Sequence, residues 1–239
     1  MAERIGHRGA AGHAPENTLG SMRLALELGV EGVEFDIHRT KDGVLVVIHD
    51  PTVNRTSNGT GAVGELTLAE LRQLDAGAWK GAQFAGERIP TLAELVEAVP
   101  APYRLFLEMK AGDDVYPGIE AQVAQFLQEK GLVERTNISS FDHYVLLRMR
   151  QLLPTVETGI LYSGRPIDPA AMAKDCGATA IHANWHWVTP EMVMAAHLAG
   201  MTVNVWTPNT PEAIARCYAL GVDGIITDYP ERCTAPASR

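Results

Sequence analysis

The chain has 239 residues, 46% of them hydrophobic, and its 20 Lys and Arg residues against 29 Asp and Glu residues give a net charge of −9. This acidity, without a basic block, disfavours a nucleic-acid groove, and no apolar run approaches the ~18–20 residues of a membrane span. Three widely spaced cysteines and the lack of an apolar leader predict a cytoplasmic protein, while the length allows two small domains or one α/β barrel.

Short apolar segments alternate with helical patterns along nearly the whole chain. Strands are predicted at 3–7, 32–38, 44–49, 104–109, 135–140, 156–161, 179–183, 202–206 and 223–227. Helix-start signals lie between them, including capping boxes at Thr67-x-x-Glu70 and Thr91-x-x-Glu94. This alternation is typical of a parallel sheet covered by helices.

Nine strands are one too many for an eightfold barrel, and the segment 44–49 accounts for the surplus. Only residues 39–43 separate it from the preceding strand, whereas a parallel crossover needs a dozen or more residues. The pair is therefore an antiparallel hairpin. We predict a distorted (β/α)8 TIM barrel of the α/β class, a single domain over 1–239 with a rim insertion at about 50–90.

Three carboxylates lie where the carboxyl ends of the barrel strands would carry an active site. Glu34 and Asp36 are two residues apart and share one face of their strand, and Glu108 ends the strand at 104–109. Buried carboxylates are costly without a cation, and an all-oxygen set suits Mg²⁺ or Ca²⁺. Salt bridges to Arg8, Lys110 and Arg39 without any metal are the alternative.

Two histidines, His7 and His49, reach the same predicted rim from different segments. Phosphodiester cleavage needs one group to take a proton from the nucleophile and another to protonate the leaving alkoxide. Either histidine could instead be structural. Arg8 and Lys110 can neutralise phosphoryl oxygens or pair with the carboxylates.

Other polar and aromatic residues near the strand ends carry weaker signals. Trp206 and Phe141 either line a substrate pocket or pack at the rim. Asn17 is expected to cap the first helix, and His38 to support the site or to be exposed. The cluster from His182 to Trp187 is expected to be rim packing or a substrate wall, with no assigned chemistry.

An ordered series of motifs spans nearly the whole chain and resembles the glycerophosphodiester phosphodiesterase family, in particular its short bacterial, cytoplasmic-type members. The series comprises Gly6-His-Arg-Gly, Pro15-Glu-Asn-Thr18, Glu34-Phe-Asp36, Thr40-Lys-Asp-Gly43, His49-Asp50, Arg55-Thr56, Asn58-Gly-Thr-Gly61, Ile89-Pro-Thr-Leu92, Leu107-Glu-Met-Lys110, Val205-Trp-Thr207 and Gly221-Val-Asp-Gly-Ile-Ile-Thr-Asp-Tyr-Pro230. The resemblance implies a distorted barrel with an insertion after its second strand, in agreement with the hairpin argument.

The resemblance also implies one divalent cation, Mg²⁺ or Ca²⁺, held by the three carboxylates, and an acid–base pair formed by His7 and His49. Arg8 and Lys110 match phosphate-contacting positions of the family. The implied reaction, in glycerol and lipid metabolism, is hydrolysis of a small glycerophosphodiester to sn-glycerol 3-phosphate and an alcohol. A lysophospholipase D-type enzyme acting on lipid-like diesters and a non-catalytic phosphodiester-binding barrel are the alternatives.

Overall fold

The structure is a computed structural model that describes residues 1–234. Its strands are β1 (Glu3–Gly6), β2 (Gly32–Arg39), β3 (Leu45–Val47), β4 (Arg104–Met109), β5 (Thr136–Ser140), β6 (Glu157–Leu161), β7 (Ala180–Asn184), β8 (Thr202–Trp206) and β9 (Gly224–Thr227). Its helices are α1 (Leu19–Glu27), α2 (Leu68–Leu71), α3 (Leu92–Ala98), α4 (Ile119–Glu129), α5 (His143–Leu152), α6 (Pro169–Asp175), α7 (Pro190–Leu198) and α8 (Pro211–Leu220). Each predicted strand is present, with ends that differ by at most two residues.

Eight strands form a closed parallel barrel. Their order is β1-β9-β8-β7-β6-β5-β4-β2, and β1 pairs with β2 to close the ring. Among the strands within residues 1–234, β3 pairs only with β2, in antiparallel register with Ile37 opposite Val47. The predicted barrel with one surplus hairpin strand is therefore confirmed.

The segment after β3 is largely irregular and contains short helical turns, among them the one-turn helix α2, which begins at a capping box formed by Thr67 and Glu70. This segment has a small apolar cluster of its own, which includes Val46 of β3 together with Leu71 and Ile89. Val46 also forms an antiparallel bridge with Thr91. Strand β3 thus joins the rim insertion to the barrel.

The N-terminus of α1 differs from the prediction. Thr18, not Asn17, is the N-cap, and its side chain accepts a hydrogen bond from the backbone N–H of Ser21. Asn17 has a left-handed backbone conformation with φ of 59°, and its side-chain amide donates to Asp36 Oδ2 at 2.8 Å. The prediction that Asn17 caps this helix is wrong, because its side chain hydrogen-bonds to Asp36 inside the barrel.

Large apolar side chains fill the barrel interior below the rim. Ile5, Phe106 and Ile226 are buried together there. A Cβ atom at Gly32 would lie 2.8 Å from the Phe106 ring, so only glycine leaves room for that ring in the neighbouring strand. Glu108 lies two residues beyond Phe106 on the same face, so the filled interior forms the floor beneath it.

None of the helices within residues 1–234 has both the length and the apolar character needed to cross a bilayer.

Candidate active site

The structure brings the three predicted carboxylates together at the carboxyl ends of adjacent strands. Asp36 of β2 lies opposite Glu108 of β4 in the parallel register, and Glu34 lies one inward position before Asp36. One oxygen atom from each of the three lies within 4.8 Å of the other two, and all three side chains are buried. Such a group of oxygen atoms matches the ligands of a hard divalent cation.

The three carboxylates have strongly different proton affinities. Burial, together with the charges of the other two carboxylates, raises the pKa of Glu34 well above its usual value. Burial and the charge of Asp36 raise the pKa of Glu108 to about 7. Burial also disfavours the charged form of Asp36, yet Arg8 and Lys110 lower its pKa to about 2. Asp36 Oδ1 is buried with no hydrogen-bond partner within residues 1–234, so the residues fit a divalent cation at this point.

Basic side chains also contact the carboxylates, so salt bridges of the kind expected as the alternative to a metal are present. Lys110 Nζ lies 2.6 Å from Glu108 Oε1 and 3.5 Å from Asp36 Oδ1, and Arg8 Nε lies 3.5 Å from Asp36 Oδ2. Arg39, a third candidate partner, instead donates to a backbone carbonyl oxygen. Arg8 and Lys110 therefore lie where they can contact both a bound anion and the carboxylates.

Each of the two histidines is held by an aspartate through Nδ1. His7 Nδ1 lies 2.6 Å from Asp228 Oδ1, and Asn209 donates to the other oxygen of Asp228 at 2.6 Å. His49 Nδ1 lies 2.7 Å from Asp50 Oδ1. Because an ionised carboxylate only accepts, we assign the proton to Nδ1 in both rings, which leaves Nε2 available for proton transfer.

The backbone carbonyl of His49 is held by a second histidine, His38. His38 is buried, with Nε2 3.2 Å from the carbonyl oxygen of His49 and Nδ1 3.0 Å from the hydroxyl of Tyr116. Since a carbonyl only accepts, His38 donates through Nε2 and accepts from Tyr116. Burial lowers the pKa of His38, so the ring stays neutral. His38 therefore supports the site, as one of the two predictions for it stated.

The histidines, the basic residues and two of the carboxylates face one cavity of about 140 Å³, whose opposite wall is largely apolar. Phe141 and Trp206 belong to this wall and make an edge-to-face contact with ring centroids 6.1 Å apart. Phe141 is 46% exposed, so its ring borders the cavity at the solvent side. The complete lining consists of His7, Arg8, Glu34, His49, Glu108, Lys110, Ser139, Phe141, Leu161, His182, Trp206 and Ile226.

His182 differs from the rest of the cluster that ends at Trp187, because it is buried inside the barrel and contributes to the cavity wall. Asn204 Nδ2 donates to His182 Nε2 at 3.0 Å. Burial lowers the pKa of His182 to about 3, so this ring is neutral at ordinary pH. Within residues 1–234, the exposed His186 hydrogen-bonds only to Asn184, and its ring packs against Trp185.

Replacing His182 by glutamine is expected to reduce the acid sensitivity of folding. The folded-state pKa of about 3 is below the ordinary value of 6.5, so the stability from the neutral ring is fully present above 6.5 and is lost as pH falls toward 3. Urea unfolding gives the free energy of unfolding at each pH. Between about pH 7 and pH 4, the slope of this free energy against pH should be smaller in His182→Gln than in wild type by up to ~1.4 kcal/mol per pH unit. His186→Gln is the control, and equal slopes in wild type and His182→Gln would contradict the prediction.

Several residues of the site were not assigned a role from the sequence. Asp228 directly follows β9, and since β9 neighbours β1 in a closed barrel, the strand order could have placed it beside His7. Glu16 and Arg55 lie in irregular segments and meet through hydrogen bonds of 2.8 Å. No periodic pattern predicts the position of such loop residues.

The cavity at the carboxyl ends of the closed barrel contains imidazoles that can transfer protons and basic residues that can bind an anion, the groups that hydrolysis of a phosphoric diester requires. A sequence model of the glycerophosphoryl diester phosphodiesterase family matches residues 7–232. The chain therefore belongs to this family, and the predicted family, fold class and enzyme class are confirmed.

Relatives of this family align with nearly the full chain. A glycerophosphodiester phosphodiesterase of Caldanaerobacter subterraneus subsp. tengcongensis is 42% identical over 95% of this chain and 94% of its own. A structure of an Oleispira antarctica phosphodiesterase in complex with the product sn-glycerol-3-phosphate has a TM-score of 0.89 and 32% identity, covering 96% of this chain and 94% of that one. A Silicibacter pomeroyi structure of the same family has a TM-score of 0.88 and 32% identity, covering 98% and 92%.

Proposed function

We propose that this protein hydrolyses glycerophosphodiesters to sn-glycerol 3-phosphate and an alcohol, using His7 and His49 as an acid–base pair and a divalent cation bound by the three carboxylates. The main support is that two aspartate-held histidines and a buried carboxylate group face one small cavity. The related phosphodiesterase that was solved with sn-glycerol-3-phosphate supports the same product.

The basic residues bind and orient the phosphodiester. Arg8 offers a planar fork to the non-bridging oxygens, and Lys110 offers a compact positive charge from the opposite side of Asp36. When bound, the divalent cation supplies Lewis-acid stabilisation of the negative charge that develops on these oxygens. Glu34, Asp36 and Glu108 would hold it, because their oxygen atoms converge and Asp36 Oδ1 has no hydrogen-bond partner within residues 1–234.

The histidines move the protons. The neutral ring takes the proton of the attacking hydroxyl, from water or from the neighbouring glycerol hydroxyl, while the other ring, protonated on both nitrogens, gives its Nε2 proton to the departing alkoxide. Their Nε2 atoms carry this exchange, because Asp228 and Asp50 occupy the Nδ1 positions. The two aspartates also orient the rings, as the third member of a catalytic triad orients its base.

The cavity favours a small substrate. Its volume of about 140 Å³ is modest, and its apolar wall contains Phe141, Leu161, Trp206 and Ile226. This size suits a glycerophosphodiester with a short alcohol group better than a lipid-like diester. We propose the cytoplasm as the location, since Cys176, Cys217 and Cys233 are all unpaired and buried, as expected in a reducing compartment.

The expected substrate preference can be measured directly. The purified protein should release sn-glycerol 3-phosphate from glycerophosphocholine, glycerophosphoethanolamine and glycerophosphoglycerol, and should turn over lysophosphatidylcholine much more slowly. An enzyme-coupled assay for sn-glycerol 3-phosphate, with Mg²⁺ or Ca²⁺ added after chelation, gives both the head-group and the metal preference. Faster turnover of lysophosphatidylcholine would favour the lysophospholipase D-type alternative, and binding without turnover would favour a non-catalytic barrel.

A further inference from the structure

Arg55 of the rim insertion bridges two carboxylates that belong to different parts of the chain. Its Nε and Nη2 donate to the two oxygens of Asp50 at 2.8 and 3.0 Å. Its Nη1 and Nη2 donate to the two oxygens of Glu16 at 2.8 Å each. These contacts use four of the five N–H groups of a guanidinium, on two of its edges.

Each of these carboxylates also contacts a residue of the proposed machinery. Asp50 Oδ1 accepts from His49 Nδ1 at 2.7 Å, and Glu16 Oε1 accepts from Arg8 Nη1 at 2.7 Å. Arg8 follows β1, whereas His49 follows β3, so the two reach the cavity from separate segments. A continuous series of hydrogen bonds through Arg55 therefore joins a phosphate-binding residue to a catalytic histidine.

We propose that Arg55 is a positioning residue that holds the Arg8 guanidinium and the His49 ring in their relative orientation for phosphodiester hydrolysis. This inference rests on the proposed function, because it concerns the same reaction. Through Arg55 the rim insertion takes part in that reaction, although it contributes none of the proposed catalytic or metal-binding side chains.

Charge supports the geometry of this bridge. Glu16 and Asp50 are held close together by Arg55, and without its positive charge they would repel each other. Hydrogen bonding to Arg55 also holds the pKa of Asp50 well below its usual range, so Asp50 remains an acceptor for His49. Loss of Arg55 would free both carboxylates to rotate, and with them Arg8 and His49.

A lysine cannot replace this bridge. Its ammonium group is a single point charge, whereas Arg55 bonds both oxygens of each of two carboxylates in the plane of its guanidinium. A lysine at this position keeps the positive charge and loses the planar geometry. The comparison of Arg55→Gln with Arg55→Lys therefore separates orientation from charge.

The test measures steady-state hydrolysis of glycerophosphocholine by wild type, Arg55→Gln, Arg55→Lys and a control. Because misplacement of a reacting group by about 1 Å can cost ~10²-fold, both Arg55 variants should lose about 10- to 100-fold in kcat/KM. Misorientation of His49 should lower kcat, and misorientation of Arg8 should raise KM. The control is Arg72→Gln, which removes an arginine of the same insertion that pairs with Glu94, and its kcat/KM should stay within about twofold of wild type.

A double-mutant cycle tests whether the effect passes through Asp50. If Arg55 orients His49 by way of Asp50, then Arg55→Gln should lower kcat much less in an Asp50→Asn background than in wild type. Independent, additive losses would overturn this route. Wild-type activity of Arg55→Lys would show that positive charge alone suffices. An equal loss of activity and of melting temperature in Arg55→Gln and Arg72→Gln would show that Arg55 only stabilises the fold. Either result overturns the proposal.

A second readout does not depend on activity. Nitrogen-15 NMR of the histidine rings should show the proton of His49 on Nδ1 in wild type and a shifted or exchange-broadened signal in Arg55→Gln. An unchanged His49 signal would overturn the positioning role. If wild type releases no sn-glycerol 3-phosphate from any diester, the proposed function is wrong, and the ring spectra still decide whether Arg55 orients His49.

Discussion

Replacing His7 or His49 by alanine is expected to lower kcat by about 10²- to 10⁴-fold, the usual contribution of a general acid or base. Each ring is held by an aspartate at Nδ1 and faces the cavity, so its loss removes a proton carrier without opening the apolar core. Both rings are partly exposed at the barrel rim, and the substitutions should therefore leave the fold intact.

The release of sn-glycerol 3-phosphate at saturating glycerophosphocholine gives kcat, and circular dichroism with thermal unfolding reports on the fold. His186→Ala is a matched control, because this histidine is exposed and does not belong to the cavity lining formed by residues 1–234. Near-normal turnover in both His7→Ala and His49→Ala would eliminate the proposed acid–base pair.

Exhaustive dialysis against EDTA is expected to abolish hydrolysis, and added Mg²⁺ or Ca²⁺ is expected to restore it. The physical reason is that Glu34, Asp36 and Glu108 bury three carboxylates together, which is unfavourable unless a cation compensates their charge. Because the ligands must be deprotonated and the pKa of Glu108 is about 7, the cation concentration needed for half-maximal activity should fall as pH rises through about 7.

Metal binding can also be followed without turnover. A cation that binds only the folded protein should raise the melting temperature, and this rise should be lost in Asp36→Asn. Glu212→Gln, a change in the first turn of α8, serves as the control and should keep the full rise. Activity that survives chelation unchanged would exclude the cation from the proposed mechanism.

The parts of the site that were predicted are those carried by regular strands. Glu34 and Asp36 share a face because side chains alternate along a strand, and Glu108 joins them because parallel strands end at one rim. The surplus strand was recognised because five residues cannot form a parallel crossover, and β3 is indeed antiparallel to β2. These inferences depend on the alternation of side chains along a strand and on the length of a connection, and both can be read from the sequence without the tertiary structure.

The parts that were missed or wrong depend on backbone angles and loop positions. Asn17 was predicted to cap a helix, but its left-handed conformation directs its amide to Asp36 instead. His182 could not be distinguished from its exposed neighbours, because only barrel closure buries it beside Asn204. Arg55 lies in a segment without periodicity, so its contacts to Glu16 and Asp50 depend on how the whole insertion packs.

The sequence by itself determined the strands along the chain, the hairpin, the family and the candidate residues for the proposed chemistry, because alternation, connection length and motif order can be read from residues that are near one another in the chain. Only the tertiary structure decided which side chains hydrogen-bond to those candidate residues. Asp228, Asp50, His38 and Arg55 act on their partners through hydrogen bonds between segments, and such contacts exist only after the barrel closes and the insertion packs on its rim.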